Sequence, residues 1–531
     1  MTAGEGAGGL GARDAARFPH GAVASPHALA SEAGRRVLAG GGNAIDAAIA
    51  TNLALAVVAP HHCGFGGDLF ALVWDSGRLH AYNGSGRAPA AATPEAVRIA
   101  AGGAGTMPER GPLPVTVPGA VEAWFALLAA FGTRPFGELA SAALAHARGG
   151  FALTPGGAAA IADSAAEFRE GEPAFAEWRR TYAGARAGET LRQPGLARTL
   201  EALAGGGPDA LYRGPIAAAI AEAVGAAGGL LAAGDLAAHA GEWVAPMSVP
   251  FGDLEVVELP PNTQGVTALE ALAIVGDPAL LPPEGPERQH LLIEAAKLAL
   301  ADRRHVTDPA HMRVDPATLA SPAWAAARRA LIDPARAGRP EPGRPATGGT
   351  AYLCAADADG MLVSLIQSNY EGFGSGITVP GWGINLHNRG AFFSLDTADA
   401  NVIAPGKRTM HTLIPAMALR EGRPRLVFGT MGGDGQAQTH LQLLARIVAD
   451  GLDPQRAIDA PRWVVSPQDV SVLAESRFAP EVLEGLRAHG HDLAVGGPLE
   501  QDMGHAHAIL VEQDGYAAAT DPRAEGAALG I

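Results

Sequence analysis

Between Asp333 and Gly349 the chain nearly stops using apolar side chains: Pro334, Pro340, Pro342 and Pro345 are interspersed with glycine and charged residues. Proline removes backbone donors and glycine adds conformational freedom, so neither helix nor strand propagates here. The segment reads as a surface linker or an exposed processing loop. It separates two parts of different pattern. Before it, apolar residues fall at helical spacing over Ala28–Leu38, over Ala44–Val58 after the Gly40-Gly41-Gly42 break, and over His290–Arg304. Asn43 suits an N-cap, and Asp46 three residues on suits the positive end of that second helix. Residues 94–250 are mostly Ala-rich helical pattern, while Leu69–Trp74 and Leu254–Leu259 read as strands. After the linker, strands dominate. Tyr352–Ala356 and Leu362–Gln367 are joined by the turn sequence Asp357-Ala358-Asp359-Gly360, and Leu426–Phe428 and Ala506–Val511 follow. Helices followed by many strands imply an α+β fold of stacked sheets covered by helices.

With 48% hydrophobic residues in 531, the chain can bury a large core. A formal net charge of −16 repels phosphate backbones and disfavours nucleic acid as a partner. Two cysteines, Cys63 and Cys354, are too few for a disulfide framework and read as buried small hydrophobes. The N-terminal stretch has no apolar core after a basic start, and no run of eighteen apolar residues occurs elsewhere. A cytoplasmic protein without membrane partners is therefore expected. Gly64-Phe65-Gly66-Gly67 precedes a strand, the reverse of the dinucleotide-binding order, and no P-loop, HExxH or GxSxG pattern is present.

At the end of the linker, Thr347-Gly348-Gly349-Thr350-Ala351-Tyr352 passes from a flexible loop straight into an apolar strand. Cut before Thr350, the chain would present a hydroxyl and a free α-amine on one rigidly held residue. An α-amine titrates near about 7.7–8.0, so it can serve as the base that activates the hydroxyl. On residue chemistry alone the plainer reading stands beside this one: Thr is a good strand former.

Ordered motifs favour the first reading. Gly41-Gly42-Asn43-Ala44-Ile45-Asp46-Ala47-Ala48, Gly64-Phe65-Gly66-Gly67, Val117-Pro118-Gly119, and Glu294-Ala295 through Ala301-Asp302-Arg303 precede the junction. Asp359-Gly360, Phe373-Gly374-Ser375-Gly376, Lys407-Arg408, Met431-Gly432-Gly433, Asp459-Ala460-Pro461-Arg462 and Asp521-Pro522-Arg523 follow it. From about residue 20 to 527 the chain resembles the γ-glutamyltransferase family of N-terminal-nucleophile hydrolases. The resemblance implies an αββα sandwich and autocatalytic cleavage into a large subunit, 1–349, and a small subunit, 350–531, together one globular unit. It implies no metal or organic cofactor and a small-molecule amide as substrate. Thr350 falls at the family's nucleophile position and Ser368 at that of a hydroxyl beside the nucleophile. Gly432 and Gly433 match the pair whose backbone N–H groups form the oxyanion hole, donors each worth about 2.7–4 kcal/mol.

The chain departs from the family where the substrate is held. Ser85 stands where an Arg that binds a γ-glutamyl α-carboxylate is expected, with Arg87 two residues on. Phe392 stands where an Asp that binds the α-amine is expected. Arg389 replaces the adjoining Gln, His411-Thr412 replace a Ser pair, and Tyr370 replaces an Asn, with Asn369 one position earlier. Losing the acid leaves an ammonium unpartnered, whereas Arg87 or Arg389 can bind a carboxylate bidentately. These residues point to an acyl donor with a carboxylate and no α-amine, such as oxamate or a glutaryl amide. Ser368–Gly376 and Asn83–Pro89 resemble the divergent branch that includes oxamate amidohydrolase and cephalosporin-acylase-type enzymes. The alternatives are a true γ-glutamyl hydrolase or transferase and a non-catalytic homologue acting as a binding protein. His61-His62-Cys63 and the pair His505 and His507 resemble metal ligands but are read as structural. Asp434 is a candidate to orient the amine or a water, and Glu167–Arg180 reads as a solvated helix face.

Overall fold

The computed structural model describes residues 13–340 and 349–531; Pro342, Pro345, Thr347 and Gly348 of the linker lie outside them, as does the N-terminal stretch before Arg13. Two seven-stranded sheets are stacked. In chain order their strands are β1 (Ala16–Phe18), β2 (Ala22–Ser25), β3 (Asp68–Asp75), β4 (Arg78–Asn83), β5 (Glu242–Val244), β6 (Met247–Phe251) and β7 (Leu254–Glu258). After the linker come β8 (Gly349–Ala356), β9 (Leu362–Tyr370), β10 (Ala416–Arg420), β11 (Arg423–Thr430), β12 (Ala506–Glu512), β13 (Gly515–Thr520) and β14 (Ala527–Gly530). The first sheet runs β1-β13-β12-β11-β10-β7-β6 and the second β14-β2-β8-β9-β3-β4-β5.

Alternation along each strand sets the layers. In β8, Ala351, Leu353 and Ala355 join the helices α1 (Ala28–Ala39) and α2 (Ala44–Val58) on the outer face. Tyr352, Cys354 and Ala356 point the other way, into a core shared with Met417, Val427 and Ile509 of the first sheet. The first sheet's outer face packs against α3 (Gly265–Val275), α4 (Pro286–Asp302) and α5 (Gly435–Leu444). Three apolar clusters therefore separate four layers, helix–sheet–sheet–helix, and the αββα sandwich expected from the resemblance is what forms. Strands buried on both faces read as unbroken apolar runs, and 351–356 is one.

The expected elements around the site form with small shifts at their ends. Asn43 and Asp46 make a reciprocal capping box on α2, whose every residue is buried. Asp357 accepts the amides of Asp359 and Met361, and Gly360 at φ +84° closes the β8–β9 turn. Helices fill most of 94–250, as expected. Glu167–Arg180 corrects the expectation of one solvated helix face: a helix ends at Glu167, and Phe168, Phe175 and Trp178 are buried beneath the exposed charges. Among the described residues no helix is long and apolar enough to cross a membrane.

The two sheets approach closely beside Thr350. A Cβ at Gly429 of β11 would lie 2.4 Å from the Tyr352 ring, so only glycine fits there. Gly429→Ala must displace that ring, two residues from Thr350, and overpacking of this kind costs about 1–3 kcal/mol. The expected result is a lower urea midpoint and a defect in any cleavage at Thr350, read by denaturation and intact mass.

Candidate active site

Thr350 sits at the head of β8, bonded on one side to β9. Opposite β9 the register shifts by one residue between Gly349 and Ala351, a bulge that leaves Ser368 and Asn369 out of step. Across this bulge the Thr350 hydroxyl donates to Ser368 Oγ at 3.1 Å. Ser368 Oγ also accepts the Tyr370 amide at 2.7 Å. Thr350 is 1% exposed and Ser368 equally enclosed.

Tyr370 ends the strand at φ +76°, a left-handed conformation that costs a bulky residue about 1–3 kcal/mol. Strain of that size needs a purpose, and the ring supplies one: it lies 4.2 Å from the Arg389 guanidinium carbon. Arg389 is fully buried. Its Nη1 donates to Thr412 Oγ1 at 3.3 Å, while Nε and Nη2 have no partner. Burial lowers its pKa to about 10, against Tyr370, Asp68 and Glu371, so it stays charged at neutral pH. Two buried donors of a charged fork without an acceptor can take a carboxylate bidentately. Where the ammonium partner was expected, Phe392 instead packs with Tyr370, Met410 and Val266 in an apolar cluster.

The loop after β11 carries Gly432 at φ +125° and Gly433 at φ +53°, conformations that favour glycine. Their carbonyls accept the amides of Gly435 and Gln436 at the start of α5. Among the described residues neither Gly432 N–H nor Gly433 N–H finds an acceptor. Two free donors at the positive end of a helix can stabilise an oxyanion. Gln264 fastens this loop to Thr412, donating to the carbonyls of Gly433 and Thr412 at 3.0 Å each. Arg303 in turn donates to Gln264 Oε1 at 2.8 Å and pairs with Asp434. Asp434 is thus held by a guanidinium, and Thr412 links the arginine fork to the glycine loop.

Behind β9, Asp68 lies directly across from Ser368 in the β3–β9 ladder. Its carboxylate accepts the amides of Gly86 and Gly119 and the His411 Nε2 proton at 3.2 Å, with His387 at 3.5 Å. Burial alone would raise this carboxyl, but His387, His411 and the Gly86 amide outweigh it and hold it well below the usual range. Burial, then repulsion from Arg389, lowers His411 to about 3, so it is neutral. His411 therefore positions Asp68. Asp68 and Gln264 were not singled out from sequence; the acid following Gly64-Phe65-Gly66-Gly67 was the available signal for the first.

Arg87 lies apart from this group. Its side chain is 40% exposed and pairs with Glu242 at 2.7 Å and Asp308 at 3.4 Å. Ser85 is occupied too, donating to Asn83 Oδ1. Asn369 donates to the Pro60 carbonyl, and its own amide meets His62 O at 3.1 Å. His505 precedes β12 and His507 lies within it, bonded to Thr520. Among the described residues a metal-like grouping of three occurs only at His290, Glu294 and His491, where the Lys297 ammonium already lies 2.8 Å from Glu294.

Comparison with known proteins gives the same frame. The family described as gamma-glutamyltranspeptidase matches residues 30–531. An oxamate amidohydrolase proenzyme of Klebsiella pneumoniae is 38% identical over 526 residues, 96% of this chain and 98% of that protein. A glutathione hydrolase-like YwrD proenzyme of Bacillus subtilis is 37% identical over 521 residues, again 96% and 98%. The crystal structure of cephalosporin acylase from Bacillus halodurans superposes with a TM-score of 0.93 at 40% identity, covering 100% of this chain and 99% of that one.

Burying neutral histidines has a pH consequence. An imidazole of ordinary pKa near about 6.5 unfolded and about 3 folded, as for His411, is protonated first in the unfolded chain. Stability is then full above pH 6.5 or so and is lost as pH falls towards the folded value. Asp68, depressed when folded, adds to the loss only below its unfolded pKa of about 3.9. The urea midpoint should fall between pH 7 and pH 4. His411→Gln should reduce the slope of ΔG by up to one proton, about 1.4 kcal/mol per pH unit.

Proposed function

The chain belongs to the gamma-glutamyltranspeptidase family of proenzyme hydrolases, and from that premise we propose that Thr350 is its nucleophile, released by cleavage of the Gly349–Thr350 bond. The products are a 1–349 and a 350–531 subunit that stay interleaved as one globular unit. In self-cleavage the Thr350 hydroxyl attacks the Gly349 carbonyl, the peptide nitrogen becomes the Thr350 amine, and water hydrolyses the resulting ester. In turnover that amine takes the hydroxyl proton as Oγ1 attacks the substrate amide. The oxyanion forms against the free N–H groups of Gly432 and Gly433. Collapse returns the proton to the departing amine and leaves an acyl ester on Thr350, which water cleaves. Ser368 holds the attacking oxygen on the correct side.

The donor in this reading carries a carboxylate and no α-ammonium, as oxamate and glutaryl amides do. The single observation that carries it is the Arg389 fork, buried beside Tyr370 with two donors unpaired. The apolar setting of Phe392 supports the second half, because an ammonium there would be buried without an acid. Arg87, already paired with two acids, is left out of the carboxylate site.

Intact-mass analysis of purified protein beside Thr350→Ala tests the first part: two fragments are expected from the wild type and one chain from the variant. A wild type that stays whole would remove the mechanism. For the donor, Arg389→Met should raise KM for oxamyl and glutaryl amides. Losing a charged pair worth about 1.5–3 kcal/mol corresponds to a rise of about 10–150-fold. Turnover of γ-glutamyl amides much faster than either would reject the amine-free donor.

A further inference from the structure

A cavity of about 680 Å³ opens beside Gly432 and Asp434 and is bounded on another side by His62. The His62 carbonyl accepts the Asn369 amide, so this wall stands one residue from Ser368. Ammonia, the leaving group of an unsubstituted amide, would leave nearly all of such a volume empty, whereas drug-sized ligands occupy about 300–1,000 Å³.

Two enclosed histidines on its wall have unfinished hydrogen bonding. His505 is 5% exposed and lines the cavity. Gln501 Nε2 donates to the Arg523 carbonyl, which turns Gln501 Oε1 towards His505 Nε2 at 2.9 Å. Nε2 must therefore carry the ring proton, and Nδ1 is a bare acceptor with no partner. Burial lowers this ring to about 4, which keeps it neutral. His27, 6% exposed, is the converse: Nδ1 accepts the Leu29 amide, leaving an unpartnered Nε2–H.

The mouth of the cavity is acidic. Asp163, Asp502 and Glu525 line it and are exposed. Glu525 takes the Gly156 amide, and among the described residues none of the three is ion-paired. The basic lining residue Arg523 is neutralised by Glu475 and Asp521. A lining histidine with an unpartnered ring nitrogen and exposed, unpaired lining carboxylates suit a hydrogen-bond donor that carries positive charge.

We propose that this cavity receives the leaving amine, and that the natural donor is an N-substituted amide whose amine half is extended and cationic. The inference rests on the acyl-Thr350 reading. His505 Nδ1 and the carboxylates of Asp163, Asp502 and Glu525 are its specificity determinants. A preference of roughly 5- to 20-fold is expected at low salt.

The test uses cleaved wild-type enzyme and three N-alkyl amides of equal leaving-group chemistry: N-(5-aminopentyl), N-pentyl and N-(5-carboxypentyl). Each is made with oxamyl, glutaryl and γ-glutamyl acyl halves, and the amine ranking is read on whichever acyl half turns over. The expected kcat/KM order is aminopentyl, then pentyl, then carboxypentyl, with unsubstituted oxamate below aminopentyl-oxamate. The aminopentyl-to-pentyl ratio should fall towards one in the Asp163→Asn, Asp502→Asn, Glu525→Gln triple variant and, for the wild type, in high salt. His505→Phe should lower the same ratio. A wild-type ratio near one, a ratio unmoved in the triple variant, or unsubstituted oxamate as the best donor overturns the amine-site proposal while leaving the nucleophile intact. No turnover of any acyl series by cleaved enzyme overturns both.

Discussion

Everything in the site hangs on one strand being unable to move. β8 is hydrogen-bonded along one edge to β9, at Cys354–Ala356 on the other edge to β2, and buried on both faces. A residue at its head inherits that rigidity without further support. Such fixity is worth most to a nucleophile, because a hydroxyl held within bonding distance of its target needs no orienting at the moment of reaction. The bulge opposite Gly349–Ala351 then aims Ser368 at Thr350. The large interface between the halves also explains how a chain could be cut at Thr350 without coming apart. β8 lies between a strand from before the linker and one from after it, and its inner face meets the other sheet.

The costs in the structure gather in one place. Tyr370 at positive φ and Arg389 with two unpaired donors are each unfavourable, and they touch. A core optimised for stability alone would have neither. The Tyr370 face offsets part of the guanidinium's desolvation while leaving the fork's edge free, which a carboxylate partner would have blocked. Asp68 contributes at longer range: a carboxylate fixed by two amides and His411 lowers the cost of a buried cation without occupying its donors. The fork's charge is tolerated because the surroundings are already polarised for it.

How much of this was legible in the sequence divides along physical lines. Contiguous signals were readable: the Asn43–Asp46 cap, the apolar run after Gly349, the Asp357–Gly360 turn and the glycine pair before α5. Each depends on residues close together in the chain. What was not readable depends on which element lands beside which. Arg87 and Arg389 are equivalent as residues, and only the fold pairs one with Glu242 and Asp308 and leaves the other unpaired. Gln264 shows nothing locally, yet it joins the glycine loop to Thr412 across 148 and 169 residues of chain. Burial likewise overrode pattern at Glu167–Arg180, where charges at helical spacing conceal Phe168, Phe175 and Trp178.

The same separation bears on how one scaffold can serve different amides. In the proposed mechanism the groups that break the bond sit on β8, on β9 and in the loop between β11 and α5, all anchored in the central sheets or capped by them. The groups proposed to choose the substrate come from elsewhere. Arg389 and Phe392 lie on one short helical turn between strands, and Asp163, Asp502 and Glu525 come from three unconnected segments at the surface. None of these residues belongs to the apolar clusters on the two buried faces of the strand that carries Thr350. In the proposed reading the two sides of the site also differ in sign, with a buried cation towards the acyl half and exposed carboxylates towards the amine half. A substrate of the wrong polarity would meet like charge at both ends, so rejection follows from the same groups that attract.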